Sequence, residues 1–124
     1  MLGRKIKKLK NWLQNRHNLQ LFRLRLAEDR QKTALYRAVL ISHELSATGA
    51  PLMLLAAAEA ILADGGSVRV LAYMDGPLRE KFEKLGIPVF YHPGFRDNAR
   101  LLNEFGGDCA YAVANTAVAY PAVS

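Results

Sequence analysis

From Tyr36 onward, short apolar runs alternate with helix-like segments, and glycine or proline stands at almost every junction. Ala38-Val39-Leu40-Ile41 is a continuous apolar run of the kind found in strands buried on both faces. Residues 42–49 form a polar loop, and Pro51 then stands where helices accept proline, at the first position. Residues 52–63 are rich in Leu and Ala with Glu59 their one charge, which predicts a heavily buried helix stopped by Gly65-Gly66. A second strand is expected over 67–73. Gly76-Pro77 repeats the helix-start signal, and Leu78, Phe82 and Leu85 mark one face before Gly86. A third strand is expected over 87–91. Asp97 or Asn98 can cap a third helix with Leu101, Leu102 and Phe105 on its apolar face, ended by Gly106-Gly107. A fourth strand follows over 110–114. Residues 118–124 would begin a fourth helix, interrupted by Pro121.

Strands alternating with helices of about ten residues predict an α/β fold. The expected architecture is a Rossmann-like parallel sheet of about four strands with flanking helices and right-handed crossovers. Its expected extent is 35–124. A sheet this small, with little to cover its last strand, reads as cut rather than finished.

The 124 residues amount to about one small domain, and 51% hydrophobic content excludes disorder throughout. Cys109 is alone, which excludes a disulfide scaffold, and we read it as a core residue ahead of a buried strand. His17, His43 and His92 are too scattered for a zinc site, so no metal is expected. No apolar stretch reaches the ~18–20 residues of a membrane span, and the N-terminus lacks the apolar block of a secretory signal. A cytoplasmic location is expected.

Charge is divided sharply along the chain. Residues 1–37 carry 11 basic and 2 acidic side chains, whereas 38–124 carry 6 and 9. The basic leader, 1–34, is free of Pro and rich in Leu, Lys, Arg and Gln, which predicts an amphipathic helix. Ile6, Leu9 and Leu13 recur at helical spacing beside Leu2 and Trp12. The stripe weakens further on, which leaves room for a break near Asn15–Asn18. Three readings of the leader compete. It is a solvated helix packed on the rest of the chain, or it attaches to an anionic membrane surface. Nucleic acid is disfavoured, since only Trp12 and Phe22 interleave with the basic residues.

In an open α/β sheet, ligands bind beyond the carboxyl ends of the strands where the strand order reverses. For the order 3-2-1-4 that point lies between strands one and four. Two polar segments meet there, Ser42-His43-Glu44-Leu45-Ser46-Ala47-Thr48-Gly49 and Asn115-Thr116. The first ends at a helix N-terminus, whose free N–H groups and dipole favour an anion such as a phosphate or diphosphate. Gly49 and Ala50 let a ligand approach the backbone. A plain helix start with no ligand has the same sequence signature. Neither G-x-G-x-x-G nor G-x-x-x-x-G-K-[ST] is present, which disfavours an oxidoreductase and ordinary P-loop chemistry. His43 and Glu44 are neighbours on extended backbone and point apart, so they form no acid/base pair. His43 is left as a donor to a phosphate or sugar hydroxyl, or as a structural group. His92, before Pro93-Gly94, reads as a turn residue.

Residues 39–52, Val-Leu-Ile-Ser-His-Glu-Leu-Ser-Ala-Thr-Gly-Ala-Pro-Leu, resemble the opening of the N-terminal domain of family 4 glycosyltransferases of the GT-B fold. Asp75-Gly76-Pro77-Leu78, Leu85-Gly86-Ile87-Pro88-Val89 and Ala114-Asn115-Thr116 resemble later parts of that domain, in the same order. The resemblance covers about residues 36–124. It implies retaining hexosyl transfer from a nucleotide sugar to an acceptor, with no metal or other cofactor at the reaction centre. It also implies substrate contacts from Ser46, Thr48, Gly49, Ala50, Asn115 and Thr116, beside His43 from the reading above, and it assigns no catalytic residue. The family's second, donor-binding domain and its acidic E-x7-E-type motif have no counterpart in these residues. The expectation is therefore a truncated, acceptor-side fragment that does not transfer sugar alone. A membrane-associated acceptor, such as a lipid-linked sugar, would suit the basic leader and a peripheral position on the inner face of the membrane. The alternatives are a stand-alone phosphate- or nucleotide-binding module, and a membrane-surface docking protein acting with a partner chain.

Overall fold

The computed structural model describes residues 2–114. The chain forms two compact units, Met1–Gln31 and Lys32–Ser124. The first is a single helix, α1 (Leu2–Arg30). It runs unbroken through Asn15–Asn18, contrary to the break the weakening stripe allowed. Two i,i+4 contacts span that region: Gln14 Nε2 donates to Asn18 Oδ1 at 3.0 Å, and the Arg16 guanidinium lies 5.4 Å from the Trp12 ring centroid. The helix stops four residues short of Ala34. Its final turn tightens as Gln31 N–H donates to Glu28 O.

The second unit contains β1 (Arg37–Ser42), α2 (Gly49–Ala63), β2 (Ser67–Ala72), α3 (Arg79–Lys84), β3 (Val89–Tyr91), α4 (Gly94–Asp97), α5 (Ala99–Gly106) and β4 (Tyr111–Ala114). Its four strands form one sheet in the order β3-β2-β1-β4, and every pairing is parallel. Leu40 of β1 stands level with Val70 of β2 on one side and Val113 of β4 on the other. The fold is thus α/β with helices on both faces, in the Rossmann-like manner expected.

Strand alternation sends Leu40, Val68, Val70, Ala72 and Val89 to one face, where they pack with Leu54 and Ala58 of α2 and with Leu78 and Phe82. Each such large side chain contributes roughly 1.5–3 kcal/mol by leaving water. On the other face, Phe90 meets Phe105 edge-on at 5.2 Å, and Phe105 meets Phe95 at the same spacing. Gly65 and Gly86 close α2 and α3 with φ of +89° and +79°, a conformation other residues rarely adopt.

Several local expectations are corrected. α2 begins at Gly49, so Pro51 is its third residue rather than its first; its missing N–H still falls in the first turn, where none is needed. α2 buries only Pro51, Leu54 and Ala58, and Met53 is 74% exposed. Leu85 lies beyond α3 and is exposed, while Leu78 and Phe82 fill the core. The short helix α4 was not foreseen; α5 is capped as expected by Asn98, whose Oδ1 accepts from Leu101 N–H at 3.1 Å. β4 pairs on one side within the described sheet and is largely exposed, and Cys109 before it is half-buried rather than core. Asn115, Thr116 and the helix expected from 118 lie outside the described residues.

Arg69, which alternation alone would send towards solvent, is 1% exposed. Its Nη1 donates to Asp108 Oδ1 and to the Phe105 carbonyl oxygen, both at 2.6 Å. The desolvation cost of a guanidinium this deep is offset by those acceptors, which replace its water.

Candidate functional site

The parallel strands all present their carboxyl ends at one end of the sheet. Chain order runs outward from β1 through β2 to β3, then returns to β4 on the other side of β1. The strand order reverses between β1 and β4, and the loop leaving β1 lies there.

Ser42 and Leu45 are fully buried and anchor this loop. Between them His43 is exposed, and its ring meets Tyr73 edge-on at 5.6 Å. Glu44 turns to a different partner, accepting a hydrogen bond at Oε1 from Ser46 Oγ at 2.9 Å. His43 and Glu44 are thus engaged separately, but both lie beyond the end of β1, His43 in a bend, so strand alternation is not the cause. Ser46 Oγ also lies 2.9 Å from Thr48 Oγ1. Ser46 has one hydroxyl proton and gives it to Glu44, so Thr48 is the donor to Ser46.

That relay decides how α2 begins. Thr48 is the N-cap by position, yet its side chain makes no capping hydrogen bond. Leu52 N–H is satisfied by Thr48 O at 3.0 Å, and Pro51 has no N–H. Gly49 and Ala50 are left as the two N–H donors of the first turn with no hydrogen-bond partner among the described residues. Both are exposed, and a Cβ built on Gly49 would meet nothing within 4 Å. Ala50 also borders an apolar groove of about 390 Å³ lined by Met53, Leu54 and Ala57 of α2 and by Val113 and Ala114 of β4.

The loop after β2 holds this arrangement in place. Tyr73, Met74 and Leu78 N–H groups donate to the carbonyl oxygens of Ser42, His43 and Leu45 at 3.1, 3.2 and 2.8 Å. Gly76 sits against the same stretch, where a Cβ would lie 2.5 Å from Leu45 O. Sequence reasoning saw Gly76-Pro77 as a helix start; the contact needs a glycine because two backbones meet. Asp75 Oδ1 accepts from Gly76 N–H at 2.8 Å and from Arg79 Nε at 2.9 Å. Partial burial alone would lower the Arg79 pKa, but the Asp75 and Glu83 carboxylates outweigh it and raise the value.

His92 is a turn residue, as expected: its Nδ1 accepts from Gly94 N–H at 2.9 Å. Of the seven candidate binding residues, His43, Ser46, Thr48, Gly49 and Ala50 fall on the one loop and helix start, and Asn115 and Thr116 lie outside the described residues.

Residues 35–124 match the family model described as glycosyl-transferase family 4. No curated protein and no solved structure matches the chain.

Proposed function

This chain belongs to glycosyl-transferase family 4, and from that premise we propose that its second unit supplies the acceptor-side face of a site for retaining hexosyl transfer from a nucleotide sugar. The observation that carries this reading is the pair of N–H groups on Gly49 and Ala50 with no partner among the described residues, at the positive end of α2 beside the switch point. In the transfer, the bond between the anomeric carbon and the donor diphosphate breaks. A bond to the acceptor oxygen forms on the same face of the sugar, and the acceptor hydroxyl passes its proton to the departing diphosphate. Negative charge grows on the departing diphosphate, and two aligned N–H donors at a helix start are suited to receive it.

The remaining residues have supporting roles. The relay from Thr48 through Ser46 to Glu44 keeps the Thr48 hydroxyl off the helix start, so the two donors stay available. His43, exposed and braced by Tyr73, is placed to hydrogen-bond a sugar hydroxyl or a phosphate. Asn115 and Thr116 are further substrate contacts that the family resemblance implies. No catalytic residue is assigned among these, and a donor-binding domain is expected to hold most of the nucleotide sugar. These residues alone should therefore bind weakly and turn nothing over. An acceptor held at a membrane, such as a lipid-linked sugar, is compatible with the basic α1.

Backbone amide NMR of the full 124-residue chain tests the reading. Millimolar UDP, GDP or their sugars should shift the Gly49 and Ala50 signals first, and Gly49→Trp should remove the response. Unmoved amides at both positions would refute it. Micromolar binding would favour the self-sufficient nucleotide-binding module instead.

A further inference from the structure

The glycosyl-transfer reading makes no use of α1, which carries its own signal. Between residues 2 and 27 the chain has eight basic side chains, Arg4, Lys5, Lys7, Lys8, Lys10, Arg16, Arg23 and Arg25, and no acidic one. At about 100° per residue, Leu2, Ile6, Leu9 and Leu13 fall within about 60° of the helix circumference. Lys5 and Lys10 flank that stripe on its two sides, and Trp12 lies beside Lys5. In the structure all four aliphatic side chains and Trp12 are exposed, Leu2 by 73% and Trp12 by 55%.

We propose that the first half of α1 docks on anionic lipid bilayers. It lies in the plane of the interface, with the Leu/Ile stripe in the acyl boundary and the Lys and Arg side chains on acidic headgroups. Both halves of the pattern have a use there. The apolar stripe leaves water, and each basic residue near the surface strengthens partition by about fivefold. Lys5 and Lys10 can bury their methylene stems beside the stripe while their ammonium groups reach the headgroups. No helix among the described residues is long and apolar enough to cross a membrane.

The competing occupants fit less of the pattern. A second copy of α1 would need the stripe to continue, but the next seam positions are Arg16 and Gln20, so it ends after two heptads, short of the three or four a coiled coil needs. Such a dimer would also press together helices carrying only positive charge over this stretch. Nucleic acid would use the charge and leave the aliphatic stripe in water.

Trp12 is the chain's one tryptophan and reports on α1 directly. The experiment titrates the full chain with phosphatidylglycerol/phosphatidylcholine vesicles and with pure phosphatidylcholine vesicles at physiological salt. Trp12 emission should shift to the blue, and the protein should co-sediment, with the anionic vesicles only. Leu9→Glu/Leu13→Glu should weaken partition at least tenfold. Replacing Lys5, Lys7, Lys8 and Lys10 by Gln should weaken it by at least a hundredfold, from the fivefold per charge above. These side chains are exposed, so circular dichroism of both variants should match the parent. Equal response to the two vesicle types overturns the proposal. So does full retention of binding by the Leu9→Glu/Leu13→Glu variant. A Trp12 response to single-stranded RNA or to protein concentration, with none to anionic vesicles, overturns it in favour of nucleic acid or self-association.

Discussion

The two ends of the sheet are finished differently. At the amino end side-chain pairs bridge the elements, and Gly66 is enclosed. Tyr36 hydroxyl donates to Asp64 at 2.8 Å, buried Arg69 binds Asp108, and a Cβ on Gly66 would lie 2.7 Å from Ile61 and Tyr36. At the carboxyl end the β1 loop exposes His43, Thr48, Gly49 and Ala50, and the space beside Gly49 is open. The loop nevertheless rests on a rigid support, the backbone ladder to the loop after β2. The amino end ties strands and helices together through side-chain pairs, and the carboxyl end leaves two backbone donors with no partner among the described residues.

This contrast can be broken at its strongest point first. Asp108→Ala would take the carboxylate from the Arg69 guanidinium, 1% exposed, and should cost about 3–5 kcal/mol in urea unfolding. Adding Arg69→Met should return part of that loss, because the buried charge leaves with its partner. A double variant no more stable than Asp108→Ala would show that the pair is not the reason.

The carboxyl end offers a sharper comparison between two glycines. Gly76→Ala should cost about 1–3 kcal/mol, since its methyl would collide with the Leu45 carbonyl. Gly49→Ala should leave stability unchanged or raise it by up to about 1 kcal/mol, because the added methyl meets nothing and the unfolded chain loses freedom. Equal destabilisation by the two would mean that the β1 loop is as tightly packed as its support.

The smallest effect belongs to Tyr36. Its hydrogen bond to Asp64, followed by slight burial and the Asp64 charge, raises the hydroxyl pKa above its usual 10.0. A raised folded value means that this contribution is complete below about pH 10 and fades as pH climbs through the folded value. Tyr36→Phe should therefore lower Tm slightly at pH 8 and flatten its decline between pH 9.5 and 11. An identical alkaline slope in both proteins would remove Tyr36 from the account.

Much of the architecture was legible because periodicity and punctuation carry it. The run Ala38–Ile41, the glycines ending α2, α3 and α5 and the Asn98 cap all lie where local chemistry puts them. The order β3-β2-β1-β4 was also anticipated, since short crossovers and a consistent hand leave few alternatives. The β1 loop could be singled out because parallel topology sends its polar residues to the switch point. Other features were hidden. Gly76 carries a contact between two loops 30 residues apart, which local spacing does not encode. α2 reads as heavily buried because it is almost uncharged, yet a helix against one sheet face buries only one side.

The sequence by itself determined the alternation of strands and helices, their caps and stops, and the segregation of positive charge into α1. Those are short-range properties, written in side-chain volume, backbone freedom and charge. Only the tertiary structure decided that Arg69 is a buried ion-pair partner and that Gly76 lies against the Leu45 carbonyl. Hydrogen bonds and desolvation depend on which distant groups arrive within about 3 Å, and the packed fold sets that distance.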